Sequence, residues 1–352
     1  MTTTQILAVH GTLPPHRYSQ DEITDAFAEF ILEGDLDERV LRRLHAHAGV
    51  EHRNLTLPIE QYADLQGFGQ ANDLFIEHAV DLGTRTLEEA LAHAGLAVAD
   101  VDLLVCASTT GLTVPPLEGR IASRLGLRPD VRRVPLVGLG CVAGAAGISL
   151  LDDHLVGHPG EVAALVTVEL CSLTVQREDT SMANLVASGL FGDGAAAVIA
   201  RGGGDADGHV EVLDTRSRLY PDSERTMAFD VSDRGLQVVL DAQVPDIVDR
   251  HLGEDVDSFL AEHDLTREDI GWWVCHPGGP KVVDAVGDAL GLAEDDVAVT
   301  RESLARVGNL SSASVLHVLA DTLRARPPRP GSRGLLMALG PGFCSELVLL
   351  RA

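Results

Sequence analysis

The sequence predicts an α/β protein of mixed sheets covered by helices, built from two similar halves. Three observations carry that expectation. Strand-like apolar runs alternate with helical periodicity along the whole chain. Two stretches, GLGCVAGAAGISLL (138–151) and VGNLSSASVLHVL (307–319), share one build: a turn, a polar residue, then a helix of small residues. The 352 residues exceed one average domain, and Gly202-Gly203-Gly204-Asp205 offers a break between halves 1–204 and 205–352.

Residues 5–9 read as a first strand, closed by Pro14-Pro15. Two polar helices follow between Ser19 and Gly49, the second carrying Arg42, Arg43, His45 and His47, and residues 51–70 read as an irregular arm. A helix over 71–94 marks its buried side with Ile76, Ala79, Val80, Leu82 and Leu87. Strand 101–109 enters a loop stiffened by Pro115-Pro116, and a short helix covers 120–125. Strand, tight turn and helix then succeed one another from Val134 to Leu151, with Cys141 at the turn. Residues 161–169 and 190–201 are strands. In the second half, 209–219 is β-like, 243–260 helical, and 271–275 a strand running into His276-Pro277-Gly278-Gly279-Pro280. A helix from Lys281, the small-residue helix within 306–323, and a strand, Gly-Pro-Gly hairpin and strand complete the chain.

Glycine inside a helix costs about 1 kcal/mol relative to alanine, so Gly144 and Gly147 predict close approach of other chain to the helix after Cys141. If the two small-residue helices pack at a pseudo-twofold axis, Cys141 and Asn309 face one another.

The net charge of −26 and pI near 4.7 argue against nucleic acid and anionic membrane as partners. Cys106, Cys141, Cys171, Cys275 and Cys344 are odd in number and form no CxxC pair, which suggests a reducing compartment without a disulfide framework. The N-terminus lacks the pattern of a signal peptide and no apolar run approaches a membrane span. The expectation is a cytoplasmic protein.

A cysteine where a helix opens meets free N–H groups and the positive dipole end, which favour thiolate. Cys141 therefore reads as a nucleophile, although most cysteines are inert core residues. His276, held at the end of an apolar strand before an open turn, is its leading proton partner. Asn309 is either a helix cap or an amide donor completing an oxyanion hole with His276. Cysteine, histidine and asparagine together suit acyl transfer followed by carbon–carbon bond formation.

Carrying GLGCVAGAAG, LFGDGAAA, HPGGPK, GNLSSAS and GPGFCSE in that order, the whole chain resembles the type III polyketide synthases, the chalcone-synthase-like branch of the thiolase superfamily. The resemblance implies a five-layered αβαβα thiolase-like fold, a homodimer, a Cys141–His276–Asn309 triad, and CoA thioesters as substrates with no resident cofactor or metal. It implies loading of an acyl-CoA starter on Cys141, repeated decarboxylative condensation with malonyl-CoA, and cyclisation. Phe191 matches a gatekeeper and Phe229 its companion. Thr109, Thr110, Cys171, Thr174 and Ser311 match cavity positions, and Val114 a residue reaching into the partner's cavity. Gly340, Pro341 and Gly342 match the cyclisation-pocket loop. Arg43, with His47, marks the CoA phosphate grip; Val40 and His47 stand where the plant pattern has basic residues, so an acyl carrier protein also remains open as starter donor. The text around Cys171 and LPIEQYA resembles bacterial enzymes taking long fatty acyl starters to alkylresorcinols or alkylpyrones. A single-condensation ketoacyl synthase and a non-catalytic acyl-CoA binder are the alternatives.

Overall fold

A computed structural model describes residues 3–31, 38–203 and 209–352. The first half opens with β1 (Thr4–Thr12), β2 (His16–Ser19), α1 (Gln20–Ile31), α2 (Glu38–Ala46) and β3 (His52–Leu55). It continues through α3 (Gly67–His93), β4 (Val101–Ser108), α4 (Leu117–Leu125), β5 (Arg132–Val137), α5 (Ala143–Gly157), β6 (Val162–Leu170), α6 (Met182–Leu190) and β7 (Asp193–Gly202). The second half contains β8 (Val210–Leu219), β9 (Met227–Ser232), β10 (Gly235–Leu240), α7 (Val244–Ala261), β11 (Ile270–Cys275), α8 (Pro280–Leu290), α9 (Ala298–Val307), α10 (Ser314–Ala325), β12 (Arg333–Gly340) and β13 (Cys344–Arg351).

Nine strands form one sheet in the order β11-β12-β13-β8-β1-β7-β6-β4-β5. β4 lies parallel to β5 and β6, while β7 runs antiparallel to β6 and β1. The same pattern returns beyond the joint, with β11 parallel to β12 and β13 antiparallel to β12 and β8. The two runs meet where β1 pairs antiparallel with β8. Gly204 and Asp205, on which the expected boundary falls, lie outside the described residues.

Five layers follow from how the strands distribute their side chains. Ala163 and Leu165 of β6 enter a central core, whereas Val162, Ala164, Val166 and Val168 enter an outer core with α3 and α4. β12 does the same, sending Leu336 and Ala338 to the central core and Leu335, Met337 and Leu339 to an outer core with α7 and α8. Strands buried on both faces read as continuous apolar runs, and period-two side-chain alternation divides each run between two cores. α5 touches β4, β6 and β7 on one side and β8, β12 and β13 on the other, so with α10 it forms the middle layer.

Close packing of α5 requires the glycines, Gly144 against the turn and helix at 312–316 and Gly147 against the Leu165 side chain of β6. A Cβ on Gly144 would lie 2.4 Å from the Ser312 carbonyl oxygen, and one on Gly147 2.5 Å from Leu165 Cδ1. The arm at 51–70 is more regular than expected: β3 pairs with β2, and a 3₁₀ turn spans Ile59–Asp64. Sequence reading also omits the hairpin β9–β10 and helices α6 and α9. Phe229 and the partly buried Gln237, Val238 and Val239 give that hairpin too little alternation to stand out.

Candidate active site

Cys141 sits in a single 3₁₀ turn, Gly140–Val142, that leads into α5, and the matching turn Ser311–Ala313 leads into α10. The turns pack together. Cys141 Sγ lies 3.7 Å from Ser311 Oγ, and the Asn309 side chain is a neighbour that lowers the pKa of the same thiol. Asn309 is buried; its Oδ1 accepts from the Ser311 N–H at 2.8 Å and the Ser314 hydroxyl at 3.3 Å, which turns the amide NH₂ away from those groups. Ser311 holds a left-handed φ of 49°, a strained conformation for serine that fixes its hydroxyl at the thiol. Gly140 is left-handed too, at φ 55°, and a Cβ there would come within 2.7 Å of Pro341.

Asn309 is tied to the gatekeeper position by backbone: its N–H donates to the Leu190 carbonyl and its carbonyl accepts from Gly192, each at 2.9 Å, flanking Phe191. His276 stands at the end of β11, its N–H donating to Met337 of β12 at 2.9 Å. β12 runs on to Gly340, where a Cβ would touch the Val142 nitrogen at 3.0 Å, so the strand beside His276 ends against the cysteine turn. Gly279 of the following turn packs on Leu190. The imidazole is buried, and neither ring nitrogen has a hydrogen-bond partner. A buried orphan of this kind is costly unless a substrate completes it.

Burial governs the protonation of both groups. It pushes the Cys141 thiol up to about 12, outweighing the opposing hydrogen bonds from Ser311 and Asn309. It pushes the His276 imidazole down to about 3. The expectation that helix-start position favours thiolate is thus reversed for the cysteine alone, because the residue is sealed in a turn with little solvent.

A cavity of about 320 Å³ opens onto Cys141. Thr109, Thr110, Cys171, Thr174, Phe191, Phe229, Ser311 and Pro341 all line it, with Gly340 and Gly342 flanking Pro341 in the chain. Val114 lies outside this wall, 94% exposed on its loop. Arg43 and His47 are exposed on α2 and just beyond its end, and do not line the cavity; His47 Nδ1 hydrogen-bonds the Arg43 carbonyl at 2.7 Å.

Sequence reasoning missed a second set of residues that shape the site. Glu169, fully buried at the end of β6, accepts from the Ser312 hydroxyl at 2.5 Å and from the Thr109 N–H and Thr110 hydroxyl at 3.0 Å each. It stitches the threonine loop to the Asn309 turn, and burial raises its carboxyl above the usual range. Arg53 donates from Nη1 to the carbonyls of Ser188 and Phe191, both at 2.7 Å, fixing the backbone around Phe191. The one signal for Glu169 was an acid ending the apolar run VAALVTV; Arg53 gave none.

Residues 2–205 match the family described as chalcone and stilbene synthases, N-terminal domain, and residues 211–352 match its C-terminal domain. The chain belongs to the chalcone and stilbene synthase family. It is therefore a type III polyketide synthase, an acyltransferase that extends polyketide chains. A 1,3,6,8-tetrahydroxynaphthalene synthase of Streptomyces peucetius subsp. caesius is 55% identical, with 99% of this chain and 93% of that protein covered. The crystal structure of 1,3,6,8-tetrahydroxynaphthalene synthase from Streptomyces coelicolor A3(2) superposes with a TM-score of 0.93 at 28% identity, covering 99% of each chain. That of PKS-I from the brown alga Ectocarpus siliculosus gives 0.92 at 25% identity, covering 100% of this chain and 98% of that one. The thiolase-like layering of this polyketide synthase is thus shared across bacterial and algal members. Among the described residues no helix is long and apolar enough to cross a membrane.

Proposed function

We propose that the synthase carries its growing chain on Cys141 and uses His276 and Asn309 as the donor pair for each condensation. The Cys141 proton passes to His276 as the sulfur attacks the starter thioester, and His276 returns it to the departing CoA, which leaves as thiol. Malonyl-CoA then places its thioester oxygen between the imidazole and the Asn309 amide. As CO₂ leaves, the electron pair of the broken C–C bond becomes an enolate held by those donors. The enolate carbon attacks the acyl thioester on Cys141, the sulfur departs, and the lengthened CoA ester can reload. The single observation behind this reading is the buried, unpartnered His276 beside a strand that ends at the Cys141–Asn309 contact.

For the product, the reading we favour is a polyhydroxylated fused aromatic without an alkyl tail. The product named for the 55% identical relative carries hydroxyls on alternating ring carbons, a pattern that two-carbon ketide units generate throughout. Malonyl-CoA then supplies starter and extender alike. The second reading, a long fatty acyl starter giving an alkylresorcinol or alkylpyrone, is supported by the apolar wall of Ile23, Phe27, Leu65, Phe68 and Leu236. A purified enzyme given malonyl-CoA alone, then malonyl-CoA with acyl-CoAs from acetyl to stearoyl, separates them by product mass. The favoured reading expects an aromatic from malonyl-CoA alone; a product only with long acyl-CoA overturns it in favour of the second.

The same proposal includes a homodimer, two similar halves 1–204 and 205–352, catalysis without a resident cofactor, and work in the cytoplasm, where buried unpaired cysteines persist. CoA delivery is favoured over a carrier protein, since a chain of net charge −26 repels an acidic partner.

A further inference from the structure

At the opposite end of α5 from Cys141, about 20 Å along the helix, three metal-ligating side chains converge with no part in the chemistry above. His154 and His158 lie four residues apart at the helix end, and Glu161 opens β6; their ligand atoms all lie within 4.8 Å of one another. The two imidazoles stack, centroids 4.2 Å apart. His158 Nδ1 is 2.8 Å from the His154 carbonyl oxygen, which can only accept, so the proton is on Nδ1 and Nε2 carries the lone pair that a metal would take. A ligating histidine whose other nitrogen donates to a backbone carbonyl is the usual arrangement around a metal. His154 Nε2 contacts Glu161 Oε2 at 2.8 Å.

A positive group already stands at the mouth of this trio. Arg132 of β5 places Nη1 3.0 Å from His158 Nε2 and 3.8 Å from Glu161 Oε2, on a side chain that is 55% exposed and can swing away. We propose that His154, His158 and Glu161 form a divalent transition-metal site, best suited to Zn²⁺, with Arg132 as its built-in competitor. Two imidazoles and one carboxylate are a recognised zinc donor set that leaves a fourth position for water. The ion takes the place of the proton between His154 and Glu161 and of the Arg132 guanidinium. It clamps the end of the nucleophile helix to the start of the strand that carries Glu169.

The test is calorimetric titration of tag-free, metal-stripped protein with Zn²⁺, followed by thermal unfolding at set free Zn²⁺. One saturable equivalent per chain is expected, and free Zn²⁺ at 100 times Kd should shift the folding equilibrium roughly 100-fold toward the native state. His158→Ala and Glu161→Gln should each weaken binding by at least the roughly 10–100-fold seen on losing an outer-shell partner. Arg132→Ala should tighten it, a gain that no folding defect produces. Absence of a saturable equivalent, unchanged affinity in His158→Ala, or weaker binding in Arg132→Ala would each overturn the proposal.

Discussion

A buried thiol at about 12 and a buried imidazole at about 3 make two poor reagents separately and one useful pair together. In the proposed mechanism the Cys141 proton passes to His276, which creates opposite charges in a medium where their attraction is strong. In His276→Ala the proposed proton acceptor is gone, while burial still pushes the thiol up to about 12. Iodoacetamide inactivation should therefore slow by at least about tenfold near neutral pH in His276→Ala, and its pH dependence should move upward. An unchanged rate profile would remove His276 from the proton path. Asn309 has a separate signature. Losing one oxyanion donor typically costs about 10²–10³ in rate, so Asn309→Ala should lose malonyl-CoA decarboxylation by that factor while Cys141 still alkylates. CO₂ release at the normal rate would reduce Asn309 to a cap of the Ser311–Ala313 turn.

The two turn-and-helix elements were legible because their chemistry is local. Gly-rich helices and a shared turn pattern announce a close crossing, and the 2.4 Å approach of the Ser312 carbonyl to a Cβ on Gly144 bears out that expectation. Strands β4, β6 and β12 were equally plain, being apolar on both faces. Glu169 and Arg53 were not plain, because a buried charge is explained only by partners from distant segments: Ser312 lies 143 positions from Glu169, and Ser188 lies 135 from Arg53. The hairpin β9–β10 escaped for a related reason, since it packs over the cavity with Met227, Phe229 and Leu236 and owes its form to that cover. The prediction at this scale concerns α5. Gly144→Ala must push carbonyl and helix apart, and overpacking of this kind costs roughly 1–3 kcal/mol. It should lower Tm and reduce condensation by shifting the Cys141 turn against the Asn309 turn, whereas Gly157→Ala, with open space around its Cβ, should do neither. Equal effects of the two substitutions would show that the crossing tolerates the extra methyl.

For the whole molecule, the β5 edge of the sheet carries exposed apolar residues. β5 ends the sheet with a single neighbour, and a strand edge presents N–H and C=O groups that invite a partner. Val137 on β5 is 62% exposed, and Leu112 and Val114 on the loop after Thr110 are 43% and 94% exposed. That loop grows from the cavity wall, since Thr109 and Thr110 line it. A second copy seated on this edge would cover the apolar residues and bring the two cavities' threonine loops into one interface, which is the homodimer proposed above. Opposing it is like charge, −26 on each chain, which salt screens over about 10 Å at 0.1 M. Dimerisation should therefore strengthen from low to moderate salt, the opposite of what an interface held by ion pairs would show. Val137→Glu buries an unpaired carboxylate at the C-terminal end of that edge strand, and should raise the dimer Kd at least about 100-fold, by the cost of desolvating a lone charge. Sedimentation velocity across protein concentration and salt reads both effects. A wild-type chain that stays monomeric at micromolar concentration in moderate salt, or a Val137→Glu dimer of unchanged affinity, would show that the partner, if there is one, does not sit on β5.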